Sequence, residues 1–127
     1  LSTTFFFCHY AWAAFEKQKS GVVVNISSVA SRDPFPGFAA YGAAKAAVNV
    51  FSAAFAREAE KIGVRVHTIA PAATETAMFR TLFKPEQFPP DRTMRPEDVA
   101  RIVGLCVEGD LAYASGEVIY LHRGLGG

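Results

Sequence analysis

Gly21-Val22-Val23-Val24-Asn25-Ile26-Ser27-Ser28 opens the stretch that decides the fold, which runs on through Val29-Ala30-Ser31-Arg32-Asp33-Pro34-Phe35-Pro36-Gly37-Phe38 to Ala39-Ala40-Tyr41-Gly42-Ala43-Ala44-Lys45. Val22 to Ile26 is a nearly continuous β-branched run, the pattern of a strand buried on both faces of a parallel sheet. Arg32 to Phe38, with two prolines and a glycine, is a loop. A helix then opens, and Tyr41 and Lys45 are four residues apart, a spacing that stacks both side chains on one helical face. An ammonium beside a phenol favours the phenolate, and such a pair can exchange a proton with an alcohol or carbonyl oxygen. Ser28, thirteen residues before Tyr41 at the strand end, can hydrogen-bond the same oxygen.

The flanking sequence alternates in the same way. Leu1 to Lys19 reads as a helix with a broad apolar face and a charged end, stopped by Ser20-Gly21. Ala39 to Ile62 is a second helix, Ala-rich, with Gly63 as its C′ residue. Val64 to Ala70 is a strand ending at Pro71. Met78 to Arg95 holds Pro85, Pro89 and Pro90 without clear periodicity, either a mobile loop or a short helix between loops. A third helix starts at Pro96-Glu97-Asp98-Val99, with proline in the first turn and acids facing the positive dipole end, and runs to about Val107. Gly116 to Leu121 is a last strand, and Gly124-Leu125-Gly126-Gly127 a glycine-rich tail. This alternation predicts an α/β fold with a parallel sheet and right-handed crossovers.

Composition narrows the function classes. With 127 residues, half of them hydrophobic, the chain can bury the core of one small domain. A net charge of +1 without a basic run argues against a nucleic-acid footprint. No apolar run reaches the roughly 18 residues that span a bilayer, and the start lacks the basic region and cleavage site of a signal peptide. Cys8 and Cys106 lie in apolar helical patterns without metal spacing and read as reduced core thiols of a cytoplasmic protein. A serine nucleophile at Ser28 is disfavoured, because the strand-to-helix elbow needs glycines around the serine and Ile26-Ser27-Ser28-Val29 has none. His9, His67 and His122 show no triad order.

Asn25-Ile26-Ser27-Ser28, Tyr41 to Lys45, and Pro71-Ala72-Ala73-Thr74-Glu75-Thr76 together resemble the short-chain dehydrogenase/reductase family over nearly all of the chain, in its C-terminal half. The resemblance implies one partial domain over residues 1–127, the C-terminal part of a Rossmann-like doubly wound parallel sheet. It implies Ser28, Tyr41 and Lys45 as catalytic residues: Ser28 positions the carbonyl oxygen, Tyr41 is the general acid/base, and Lys45 tunes Tyr41 and bonds the nicotinamide ribose. Cofactor contacts fall to Tyr41, Lys45, Pro71, Ala72, Thr74 and Thr76. The cofactor is NAD or NADP, with the selector region for that choice absent, and no metal is implied. The substrate is a small-molecule alcohol or carbonyl compound. The Ala-rich helices imply a homo-oligomer, dimer or tetramer, with no nucleic-acid or membrane partner.

Several departures from the family pattern bear on this reading. No glycine-rich phosphate loop of the kind that cradles a pyrophosphate at a helix N-terminus occurs in the sequence, and the terminal Gly124 to Gly127 is not a substitute. The family's catalytic Asn falls about one residue before Leu1. The expectation is therefore a partial chain, inactive alone, or alternatively a non-catalytic module that retains only an oligomer interface. Ala72 stands where the family has Gly, a cost of about 1 kcal/mol if that turn needs a positive φ. His122-Arg123-Gly124 replaces Asp-Gly-Gly. Asp98 matches a structural acid, and its plain role is a favourable charge at a helix N-terminus.

Overall fold

Strand β1 (Gly21–Ile26), β2 (Val64–Pro71) and β3 (Val118–Leu121) form a parallel sheet in the order β1-β2-β3. They belong to a computed structural model that describes residues 1–124; Leu125, Gly126 and Gly127 of the glycine-rich tail lie outside the described residues. Gly21 pairs with Val64 and Ile26 with Ile69, while Thr68 pairs with Val118 and Pro71 with Leu121. All three strands therefore point their carboxyl ends the same way. β2 lies between the other two and is the most deeply buried strand. The β-branched run of β1 is only half-buried, because no strand among the described residues covers its other edge.

Alternation along β2 sends its side chains to two different layers. Val64 and Val66 join Cys8, Phe55, Ala56 and Ala59 in one hydrophobic cluster, with Trp12, Phe15, Val23, Phe51 and Ile62 packed against it. That cluster lies under α1 (Ser2–Gln18) and α2 (Ala39–Ala59). Arg65, on the opposite parity, donates from Nη2 to the Val107 carbonyl of α4 (Pro96–Glu108), 3.4 Å away. Helices thus cover both faces, which is the doubly wound arrangement. The strand order advances in one direction while α2 and α4 lie on opposite faces, so the two crossovers have opposite hands. Uniformly right-handed crossovers, the expectation from alternation, do not hold. The long connection from Ala72 to Arg95 gives the chain the length to pass around the sheet end, and α1 and α2 already occupy the first face.

The helix ends follow the local chemistry. α1 ends one residue earlier than its charged run suggests, with Lys19 in the left-handed region (φ 56) and its N–H on the Phe15 carbonyl at 2.8 Å. Gly63 closes a short 3-10 turn after α2 at φ 74, as its C′ assignment requires, and a Cβ there would collide with the Lys19 carbonyl. The stretch from Met78 to Arg95 holds all but the first residue of the short helix α3 (Ala77–Leu82) and a 3-10 turn at Pro90–Arg92. Among the described residues no helix is long and apolar enough to cross a membrane.

Candidate active site

The carboxyl end of β1 is where the sequence-predicted residues meet. Ser27 continues the ladder by donating its N–H to the Ile69 carbonyl at 2.7 Å, and its buried Oγ donates to the Lys45 carbonyl at 3.2 Å. Ser28 is extended (φ −158, ψ 154) and caps a 3-10 turn, Val29–Ser31: its Oγ accepts the Ala30 N–H at 3.1 Å. One lone pair of Ser28 is thereby fixed, and its O–H remains free to donate outward. Ser31 Oγ donates to the Ser28 carbonyl at 2.6 Å, which stiffens the turn further.

Lys45 reaches back across this corner. Its Nζ donates to the Ile26 carbonyl, the last of β1, at 2.9 Å. Two of the three ammonium protons remain available. One helical turn earlier, the Tyr41 ring centroid is 5.8 Å from Lys45 Nζ, and Tyr41 is 44 % exposed. Phe38 stands edge-on to Tyr41 at 5.8 Å and 89°. The first turn of α2 presses on the turn that carries Ser28. Gly42, between Tyr41 and Lys45, makes that approach possible: a Cβ there would be 2.7 Å from the Ala30 carbonyl oxygen and 3.0 Å from Pro34 Cβ. Its place inside the Tyr41–Lys45 interval is the one local sign of Gly42 in the sequence, and the close approach it permits shows only in the fold.

The neighbouring strand end carries the second set. Pro71 is the last residue of β2 and pairs with Leu121. Ala72 donates its N–H to the Leu121 carbonyl at 2.8 Å. Ala72 has no positive φ, since Lys19 alone among the described non-glycine residues does; alanine is therefore accommodated there without backbone strain. Thr74 Oγ1 donates to the Ala72 carbonyl at 3.0 Å. Thr76 caps α3 by accepting the Phe79 N–H at 3.1 Å, and keeps its O–H for another acceptor. Ser28, Tyr41 and Lys45 thus stand at the end of β1, and Pro71, Ala72, Thr74 and Thr76 at the end of adjacent β2. Carboxyl ends of parallel strands are where α/β folds bind their ligands.

Two polar networks around this site join residues that no local sequence pattern links. Asn49, two turns after Tyr41, donates from Nδ2 to Ser31 Oγ at 2.8 Å and to the Tyr120 hydroxyl at 3.3 Å. The Arg32 guanidinium lies over the Tyr120 ring at 4.0 Å. The Ser28 turn is in this way tied to both α2 and β3. The second network is the Glu75–Arg80 ion pair, in which Arg80 Nε donates to Oε1 at 2.6 Å and Nη2 to Oε2, while Thr93 Oγ1 donates to Oε2 at 2.9 Å. The Arg80 guanidinium beside Glu75 holds its carboxyl below the usual range. Arg95 pairs with Asp98 at 2.8 Å in the first turn of α4, so Asp98 combines an ion pair with its dipole role. His67 is fully buried with neither ring nitrogen bonded, and burial, with the charge of Arg65, pushes its pKa down. Burial likewise raises the thiol pKa values of unpaired Cys8 and Cys106, away from reactive thiolates. No cluster of metal-ligating side chains occurs among the described residues.

The family model for short chain dehydrogenases matches residues 1–87. The chain belongs to that family. It is 33% identical over 115 residues to the 3-oxoacyl-[acyl-carrier-protein] reductase FabG of Vibrio cholerae, covering 86% of this chain and 47% of the relative. Over 87 residues it is 42% identical to the peroxisomal hydratase-dehydrogenase-epimerase of Saccharomyces cerevisiae, covering 68% of this chain and 10% of that protein. A 7α-hydroxysteroid dehydrogenase complexed with NADH and 7-oxo glycochenodeoxycholic acid superposes with a TM-score of 0.87 at 25% identity, over 98% of this chain and 51% of that one. ElxO with NADP bound superposes with a TM-score of 0.81 at 25% identity, over 92% and 51%. The chain spans about half the length of the FabG relatives it matches.

Proposed function

We propose that the polypeptide carrying these residues is an NAD(P)-dependent oxidoreductase that interconverts an alcohol and a carbonyl compound, with residues 1–127 as one partial domain on the catalytic and substrate side. The observation that carries this reading is the corner at the end of β1: Lys45 bonded to the Ile26 carbonyl, Tyr41 one turn before it, and the capped Ser28 beside them. In the reductive direction the Ser28 O–H donates to the carbonyl oxygen and orients it. Tyr41 delivers its phenolic proton to that oxygen, and the Lys45 charge stabilises the phenolate left behind. The nicotinamide cofactor, when bound, supplies the hydride. Lys45, with two free N–H groups, and the Thr76 O–H fit the ribose and carboxamide of its nicotinamide end. Nothing among the described residues fits the pyrophosphate: the eight-residue-or-longer helices begin at Ser2, Ala39 and Pro96, and none follows a glycine-rich loop. The buried, unpaired cysteines suit a cytoplasmic compartment. The outward aromatic residues of α1, Phe6, Phe7 and Tyr10, are candidates for a homo-oligomer contact.

The test is steady-state reduction of a carbonyl panel by the complete polypeptide, with cofactor titration. Tyr41→Phe is expected to lose at least about 10²-fold in turnover with cofactor affinity nearly unchanged, and Lys45→Ala to weaken both. Near-wild-type turnover by the phenylalanine variant overturns the assignment. A second reading, a non-catalytic module, draws on the missing phosphate cradle. Calorimetry on the 127-residue chain separates the two aspects: it is expected to bind neither NAD nor NADP measurably, and micromolar binding would reveal a dinucleotide site within these residues.

A further inference from the structure

Five phenylalanines from two separate segments converge beside Tyr41. Phe35 and Phe38 come from the proline-rich loop, and Phe79, Phe83 and Phe88 from α3 and the turn after it. Phe83 stacks on Phe38 at 5.9 Å and meets Phe79 at 5.0 Å and Phe88 at 5.1 Å. Phe35 meets Phe88 edge-on at 5.9 Å, and Phe38 meets Tyr41. None of the five is buried, and none belongs to the core under α1 and α2. Phe35 is 54 % exposed. The rings therefore form a partly exposed aromatic wall rather than a packed interior, and the wall ends on the phenol proposed to handle the proton. Arg80 lies over Phe79 at 5.3 Å but is committed to the Glu75 carboxylate and the Phe88 carbonyl.

We propose that this wall receives the body of the substrate, and that the substrate is an uncharged ketone, or the matching alcohol, with an aromatic ring system one or two carbons from the reacting carbon. This rests on the oxidoreductase reading and adds the substrate class to it. The exposed parts of these rings, Phe35 above all, offer stacked or edge-on contacts to a flat ring, worth more than the buried area alone. Binding sites are characteristically apolar walls with a few convergent polar groups, and here Tyr41 and Ser28 are those groups. A carboxylate or phosphate near the carbonyl finds no receptor in Arg80, whose fork is already filled.

Equilibrium binding of 2-tetralone, 2-pentanone and 4-oxopentanoate to the complete polypeptide tests this, by ligand-observed NMR with and without oxidised cofactor, so that no ketone is reduced. The expected order is 2-tetralone tightest, by about tenfold over 2-pentanone, with 4-oxopentanoate no tighter than 2-pentanone. Phe83→Ala is expected to erase most of that preference. Phe83→Leu keeps the apolar bulk, guards against a variant that disorders α3, and is expected to lose the preference too because the ring face is gone. Equal affinities for the two neutral ketones, preference for the anion, or no binding of any ketone because another segment or a second copy covers the wall each overturn the proposal. Parallel turnover assays separate it from the reading beneath it. Selective binding without turnover of any ketone overturns the oxidoreductase and keeps the wall, whereas turnover without selectivity does the reverse.

Discussion

The corner at the end of β1 flanks Tyr41 directly and the segment from Ala77 to Arg95 reaches it through Phe38, and the two are held in different ways. The corner is anchored by backbone: the Ser27 N–H extends the ladder, Ser28 caps its own turn, and Lys45 is bonded to a main-chain carbonyl. The segment is held mainly by side chains, the Glu75–Arg80–Thr93 network and the phenylalanine cluster, with main-chain bonds at its far end, where Met94 bridges Thr74. Backbone anchoring fixes groups that must meet a reacting atom within tenths of an ångström. Side-chain anchoring leaves a segment able to open without disturbing the sheet, which suits the part proposed to touch the variable body of a substrate.

The comparison breaks most readily at Gly42. Gly42→Ala puts a methyl against the Ala30 carbonyl and Pro34, backbone and ring that cannot swing away. It is expected to cost about 1–3 kcal/mol in stability and to separate Tyr41 from the Ser28 turn, with a loss of turnover larger than the loss of stability explains. Denaturant unfolding and kcat on the same samples check it; wild-type values for both would mean that the close approach of α2 is unimportant.

A smaller and more local effect is expected from the ion pair. Glu75→Gln removes the carboxylate that holds Arg80, and hydrogen exchange of amides 77–94 is expected to quicken while amides 21–28 are unaffected. Wild-type Glu75 has a depressed pKa through Arg80, so the restraint is fully present above the ordinary carboxylate value and is lost as pH falls through the lower folded one. Adding substrate and cofactor is expected to slow exchange in the same amides if the segment closes over the ligand. Identical exchange with and without Glu75 would place the anchoring in the phenylalanines alone.

The smallest effect belongs to the strand that both regions share. His67 on β2 is buried with its pKa depressed, whereas the unfolded chain titrates near 6.5. Its contribution is present above that value and falls away as pH drops below it, because the unfolded chain takes up the proton first. Denaturation midpoints at pH 7.5 and 5.5 are expected to differ less in a His67→Gln variant than in the wild type. An equal drop in both would assign the acid sensitivity to other groups.

Local rules determined much of this protein from its sequence alone. The β-branched run, the prolines and the four-residue Tyr41–Lys45 spacing give the strand, the loop and the shared helical face, because each depends on residues within about one turn of each other. Gly63 at the helix end and the acids at the start of α4 follow from cap chemistry in the same way. What tertiary structure decided is what joins distant residues. Asn49, Ser31 and Tyr120 come from three elements, and Phe35 and Phe88 lie fifty-three residues apart in the chain, so no periodicity links them. The face taken by α4, opposite to α1 and α2, and with it the opposite hands of the two crossovers, are matters of packing that no window of sequence contains.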